Sequence, residues 1–255
     1  MNIKKHMKFS NKQPFIFGFH PVESLLKHRA ESITHLYVQK DRRDQRIESI
    51  IQLAKMNHIP LEYLSRQEID NLLEEVNHQG IIASCKQAQT YTERDLKHLL
   101  ENLTVPPLVL VLDGVQDPHN LGACFRSADA AGVHAIIAPK DKSVGLTSVV
   151  SKVASGATET IPFVQVTNLV RAIEILKELG IWIYGADAEA PKTLFQTDLS
   201  GPVAIVLGAE GTGLRRLTRE HCDVLIKIPM QGSVSSLNVS VASGIFLFEV
   251  IRQRN

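Results

Sequence analysis

The chain has 255 residues, 44% hydrophobic and 22% charged, enough to bury a core in one large or two modest domains. Its 28 Lys and Arg against 27 Asp and Glu leave a formal charge of +1, which excludes bulk positive charge as the drive toward a nucleic-acid partner. Three scattered cysteines, Cys85, Cys124 and Cys222, form no Cys-x-x-Cys pair, which argues against a disulfide framework or zinc site and for reduced thiols in a cytoplasmic protein. The basic N-terminus lacks the apolar centre of a signal peptide, and no run reaches membrane-spanning length, so no membrane partner is expected.

Residues 1–14 are expected to be a disordered tail. From Phe15 a short apolar strand turns at Gly18 and enters a helix near Pro21. His35–Gln39 reads as a strand. Arg43–Met56 reads as a helix, with Ile47, Ile50, Ile51 and Ala54 at helical spacing. Pro60–Leu64 is a strand, Gln67–Glu75 a helix and Gly80–Cys85 a strand. Residues 15–86 therefore form a small α/β domain, and the polar stretch 87–106 reads as a linker with a short helix in it. Thr92 and Asp95 give that helix a weak start signature.

Residues 107–255 form the second domain. Leu108–Leu112 is apolar at every position, as in a central parallel strand covered on both faces. After it come the loop Asp113–Asn120 and a helix over Leu121–Ala131. The alternation continues with strands at His134–Ala138, Ile161–Gln165 and Ile181–Gly185, and helices at Thr147–Ala154 and Leu169–Leu179. Two further strands, Val203–Leu207 and Leu225–Ile228, run into glycine-punctuated loops. Leu237–Arg252 closes the chain as a helix, with Val241, Ala242, Ile245, Phe246 and Phe248 as its buried stripe. Such a sheet collects ligands beyond the carboxyl ends of its strands.

Asn120 falls where a helix begins, a favoured place for a capping side chain, and helix N-termini attract phosphate. Gly122 and Arg126 share one helix face, so Arg126 can extend over the bare glycine toward the loop, delivering a permanent cation to an anion site. The alternative is an Arg126–Asp129 surface pair and a glycine kept for tight packing. Glu210, between Gly208 and Gly211, either caps the helix that follows or points into the crevice. Gly208, Gly211 and Gly213 do not follow the dinucleotide-binding order. Ser233, Ser235, Ser236 and Asn238 crowd the entry to the last helix, where capping is the simplest role. His119, His134 and His221 lack ligand spacing and are read as structural, with no metal site.

Three segments together resemble the signature motifs of the SpoU/TrmH class of SPOUT RNA 2′-O-methyltransferases. They are Asp117-Pro-His-Asn-Leu-Gly-Ala-Cys-Phe-Arg126, Leu207-Gly-Ala-Glu-Gly211, and Ile228-Pro-Met with Ser235-Ser-Leu-Asn-Val-Ser-Val-Ala242. Gly18-Phe-His-Pro-Val-Glu-Ser-Leu-Leu26 and His78-Gln-Gly-Ile-Ile-Ala83 resemble the family's N-terminal substrate-binding domain, of the ribosomal-protein L30e/L7Ae type. The resemblance implies an α/β fold whose C-terminal catalytic domain ties a deep trefoil knot, an exception to unknotted topology. It implies S-adenosyl-L-methionine bent in the knot, held by Gly208, Ile228 and Leu237 with Met230 close by. Asn120, Arg126, Glu210, Ser236 and Asn238 would be the catalytic residues around a ribose 2′-hydroxyl, in a homodimer with active sites at the interface.

Across its length the pattern is most similar to members that methylate a guanosine of 23S rRNA, in the domain V loop that pairs with P-site tRNA, on a ribosome-assembly precursor. A tRNA 2′-O-methyltransferase and a catalytically silent RNA-binding paralogue are the alternatives. Since guanidinium holds its proton, Arg126 is expected to clamp the adjacent phosphate and stabilise the forming alkoxide, and the proton acceptor stays open. Arg215, Arg216 and Arg219 are candidates for contact with RNA.

Overall fold

The computed structural model describes residues 15–40, 42, 44–72, 78–85 and 91–255. The expected N-terminal tail, Arg43 and residues 87–90 of the expected linker lie outside them. The chain divides into two compact units, Met1–Gln89 and Thr90–Asn255.

In the first unit, strands β1 (Phe15–Phe17), β2 (Ile33–Gln39), β3 (Leu61–Leu64) and β4 (Ile81–Cys85) form one sheet in the order β1-β4-β2-β3. Only the β2–β3 pair is parallel. Helices α1 (Phe19–His28) and α2 (Gln45–Met56) cover one face, burying Val22, Leu25, Leu26, Ile47, Ile50 and Ala54 against the strands. Ile69 of the short helix α3 (Arg66–Asp70) packs on the other face with Phe17, Tyr37 and Ile82. β4 is buried at all five positions because both faces are covered.

Helix starts here follow local capping chemistry. Asp44 accepts the Ile47 N–H at 3.1 Å, so α2 begins at Gln45 rather than Arg43. Ser65 and Glu68 close a capping box on α3. Gly18, at φ 91°, turns the chain from β1 into α1, where Gln79 Oε1 accepts the Phe19 N–H at 3.0 Å.

The second unit is built on a parallel sheet in the order β7-β6-β5-β10-β8-β11-β9. Its strands are β5 (Leu108–Asp113), β6 (Ala135–Pro139), β7 (Phe163–Val166), β8 (Trp182–Ala186), β9 (Lys192–Thr193), β10 (Val203–Gly208) and β11 (Val224–Lys227). The two-residue β9 has no counterpart in the expected element order.

Alternate residues of the central strands serve two cores. Leu108, Leu110 and Leu112 with Ile205 and Leu207 face helices α5 (Pro118–Ala130), α6 (Ser148–Ala154) and α9 (Val239–Arg254). Val109 and Val111 with Ala204 and Val206 face helices α4 (Leu96–Leu100) and α7 (Leu169–Glu178). Helix α8 (Arg216–Glu220) lies between β10 and β11 in sequence.

Residues 91–106 do not behave as a linker. Tyr91 makes a parallel bridge to Val164, and Leu96 and Leu100 are buried in the second core. Asp95 accepts from the Thr92 N–H at 2.7 Å and its hydroxyl at 2.9 Å, so the weak start signature is half of a capping box. The C-terminal helix also departs from expectation. Phe246, Leu247 and Val250 are buried, but Val241 and Phe248, expected inside, are each 51% exposed. α9 is apolar on both sides, and this chain covers only one.

Candidate active site

β5 and β10 are neighbours in the sheet but are joined through connections that run in opposite directions along it. Their carboxyl ends flank a switch point, where an open α/β sheet forms its crevice. Three loops converge there.

The first enters α5. Asp117, not Asn120, is its N-cap and accepts the His119 N–H at 2.8 Å, with Pro118 in the first turn. The helix therefore starts three residues earlier than expected, and Asn120 keeps its side chain for another use. Its Nδ2 donates to Glu210 Oε1 at 3.1 Å.

The second loop leaves β10 and folds straight back. Gly213 N donates to Ala209 O at 3.0 Å, and Gly211 and Gly213 take φ of 78° and 65°. A Cβ on Gly208 would stand 2.1 Å from Gly213 C and 2.2 Å from its oxygen, so this turn closes directly over Gly208. Glu210 caps no helix. α8 begins at Arg216, and the Glu210 carboxylate turns into the crevice.

The third loop enters α9. Asn238 Oδ1 accepts the Ser240 N–H at 2.9 Å, while its Nδ2 donates to Glu210 Oε1 at 2.5 Å and to Asn120 Oδ1 at 2.9 Å. One side chain thus caps a helix and ties the other two loops together. Asn120, Glu210 and Asn238, 118 residues apart at the extremes, form one hydrogen-bonded triangle. Glu210 Oε2 makes no hydrogen bond among the described residues.

Arg126 and Ser236 are not joined to that triangle. Both are exposed, and neither side chain makes a hydrogen bond or ion pair among the described residues. Arg126 follows Asn120 by six residues, which turns it about 240° around the helix axis. Its alternative partner Asp129 is engaged by the Thr160 hydroxyl instead. Gly122 is buried against α6. A Cβ there would lie 2.7 Å from Val153 Cβ and 2.9 Å from Val150 O, so helix packing explains that glycine.

The expected cofactor residues lie on the second and third loops. Ile228, Met230 and Leu237 are half-buried, and no residue from 228 to 237 makes a hydrogen bond among the described residues. Half-buried apolar side chains beside ten unspent backbone carbonyls and, at every position but Pro229, unspent N–H groups suit a ligand that is part flat apolar ring and part hydrogen-bonding chain.

Other candidates are absorbed by structure. His134 Nδ1 accepts the Leu108 N–H at 3.0 Å. His221 Nδ1 lies 2.8 Å from Leu217 O. Burial pushes the Cys124 thiol up to about 11 and that of Cys222 to about 12, so neither is a ready nucleophile. The three arginines considered for RNA contact are paired within the chain. Arg216 binds Glu220, Arg219 binds Asp187, and Arg215 lies against Asp113.

Asp113, the last residue of β5, belongs to none of the sequence motifs. Its side chain is fully buried; Oδ2 accepts the Arg215 N–H at 2.9 Å, and Oδ1 stands 3.4 Å from Arg215 Nε. A lone charged residue ending an apolar run was the available signal.

The parallel α/β sheet and the three loops in its crevice match the SPOUT class of methyltransferases, as the following comparisons show. Residues 107–248 match the SpoU rRNA Methylase family and residues 15–91 match the RNA 2′-O ribose methyltransferase substrate-binding family, so the chain belongs to the SpoU rRNA methylase family. It is 56% identical to a 23S rRNA (guanosine-2′-O-)-methyltransferase, RlmB, of Shewanella oneidensis over 95% of this chain and 98% of the relative. The same-named protein of Pseudomonas aeruginosa is 53% identical over 94% of this chain and 96% of its own length. Among solved structures, an RNA 2′-O ribose methyltransferase superposes with a TM-score of 0.78 at 27% identity, covering 95% of this chain and 89% of that one. The SpoU methyltransferase AviRb of Streptomyces viridochromogenes, in complex with AdoMet, has the same fold, with a TM-score of 0.78 at 22% identity over 95% and 90% of the two chains.

Proposed function

We propose that this protein transfers a methyl group from S-adenosyl-L-methionine to the ribose 2′-hydroxyl of a guanosine in 23S rRNA. The observation that carries the proposal is the Asn120–Glu210–Asn238 triangle, which joins all three family motifs at the sheet's switch point. Full-length relatives above 50% identity that bear this activity in their names support the substrate.

The cofactor supplies an electrophilic methyl group on sulfonium. Ile228, Met230 and Leu237 would hold its apolar parts, and the unspent backbone of 228–237 its polar parts. Gly208, over which the 209–214 turn closes, would border the bound cofactor. Asn120 and Asn238 orient the Glu210 carboxylate beside the incoming ribose, and positioning of this kind accounts for much of the rate in a reaction with an already activated donor. Arg126 clamps the phosphate next to the target and stabilises charge forming on the 2′-oxygen. Ser236 lies on the loop bordering the same crevice. The knotted threading of the C-terminal third belongs to this reading through family membership.

The working form is a homodimer in the cytoplasm. Val241, Ile245 and Phe248 recur at helical spacing on α9, and two of them are half-exposed apolar side chains with no cover from this chain. Arg126, turned away from Asn120 and without a partner among the described residues, is then free to serve the crevice of a second copy. Residues 15–91 read the RNA, in which the 2′-hydroxyl distinguishes the substrate from DNA.

The test incubates the purified chain with methyl-labelled cofactor and unmodified 23S rRNA or tRNA, then maps the label by nuclease digestion and mass spectrometry. Label on a guanosine ribose of 23S rRNA is expected. Label confined to tRNA would replace the substrate, and no label on either would leave an RNA-binding protein. Arg126→Ala should abolish transfer while cofactor affinity stays within about twofold of wild type, as for a group acting chiefly in the transition state.

A further inference from the structure

Outside the triangle, the second unit holds one fully buried carboxylate, Asp113, that no motif assigns a role. Burying a carboxylate is costly unless it is paired and hydrogen-bonded. Here it receives a single hydrogen bond, from the backbone of Arg215, and the Arg215 guanidinium at 3.4 Å, while Oδ1 has no hydrogen-bond partner among the described residues.

What the residue grips explains the expense. Asp113 is paired in register with Gly208, the residue from which the Glu210 turn departs. Its carboxylate holds Arg215, the residue at which that turn ends. The same residue therefore fixes both feet of the 209–214 turn. Within the turn, the Ala209–Gly213 bridge is the only backbone hydrogen bond among the described residues. On the other side, Asp113 leads through Gly114 into the loop that carries Asn120. Gly114 takes φ 90°, and a Cβ there would lie 3.2 Å from Arg215 Nη2, so the bare position makes room for the arginine.

We propose that Asp113 is a positioning residue for methyl transfer: acting through Arg215, it holds the 209–214 turn so that Glu210 stays within reach of Asn120 and Asn238. It touches neither substrate nor cofactor. The inference rests on the methyltransferase reading above for its kinetic consequence, but its structural half stands apart from that reading.

The test is a double-mutant cycle between Asp113→Ala and Glu210→Ala, with amide hydrogen exchange of the full-length chain as a second readout. Asp113→Ala should lower kcat by about 100-fold, the loss that misplacing a reacting group by an ångström can cause, with KM for RNA within about twofold. In the Glu210→Ala background it should lower kcat no further. Exchange at residues 209–215 should rise about tenfold in Asp113→Ala while β5 and β10 stay protected. Asp113→Asn, which keeps an acceptor for the Arg215 N–H, should recover most of both properties; if the alanine variant does not fold, Arg215→Pro, which removes that N–H at a φ of −62° that proline adopts, must show the same loss of kcat and the same rise in exchange over 209–214. Additive losses in the cycle, or unchanged exchange at 209–215, would overturn the proposal. If the wild-type chain transfers no methyl group, the activity reading fails, and the exchange result alone decides whether Asp113 fixes the turn.

Discussion

Gly208→Ala is the substitution whose effect can be worked most directly from distances. The added Cβ would lie 2.1 Å from Gly213 C, 2.2 Å from Gly213 O and 2.4 Å from Leu214 N, all backbone atoms. Carbon pairs rest at about 3.5 Å or more, so the turn must retreat by about 1.4 Å. The Asn120–Glu210 bond, already 3.1 Å long, does not survive a displacement of that size. Overpacking of this kind costs about 1–3 kcal/mol, and in a unit of this size each kcal/mol lowers Tm by about 2–4 °C. Misplacing Glu210 should also reduce kcat by about 100-fold. Thermal unfolding of the cofactor-free protein and single-turnover methylation of 23S rRNA measure the two effects. A variant that melts with wild type but binds cofactor poorly would mean that the glycine serves ligand approach and not turn closure, refuting the steric argument.

Three further outcomes are expected. Arg252's side-chain hydrogen bond holds the Glu249 carboxyl at about 2, against an ordinary 4.5. A folded value below the unfolded one stabilises the protein above pH 4.5 and loses that contribution as pH falls toward 2. Glu249→Gln should therefore flatten the pH dependence of urea unfolding across that window. A Val241→Glu, Phe248→Glu double variant should sediment as a monomer and lose transfer while keeping its fold, because both side chains are exposed within one chain. A fragment of residues 106–255 should be less stable than one of residues 90–255 by about 3–6 kcal/mol, since it lacks the buried Leu96 and Leu100, a difference that denaturant titration would measure.

What the sequence made legible was whatever depends on neighbours in the chain. Leu108–Leu112 announced a strand covered on both faces, and it lies at the centre of the sheet with two separate cores. The three motifs pointed to one crevice, and Asn120, Glu210 and Asn238 do meet. What stayed hidden depends on partners far away. Glu210 could not be separated from a helix cap without knowing that Asn120, 90 residues earlier, and Asn238, 28 later, donate to it. Gly122 looked like a window for Arg126 because Val150 and Val153, which fill that space, belong to another helix. Val241 and Phe248 share the apolar face of α9 yet are exposed, because periodicity reports an apolar face, not which molecule covers it. Residues 91–106 looked like a connection because their polarity hid Tyr91, Leu96 and Leu100. Arg215, Arg216 and Arg219 form a basic patch in sequence, but their partners Asp113, Glu220 and Asp187 include residues far from them in the chain.

Residues 228–237 make no hydrogen bonds of their own among the described residues, so they can be rearranged without breaking any. Whatever settles there must meet the entropy of fixing them, about 1–2 kcal/mol for each residue immobilised. Pro229 arrives partly restricted and Gly232 at the opposite extreme. If the cofactor settles there as proposed, part of its binding energy goes into ordering the loop, and a substitution that stiffens the loop in its bound shape should tighten binding.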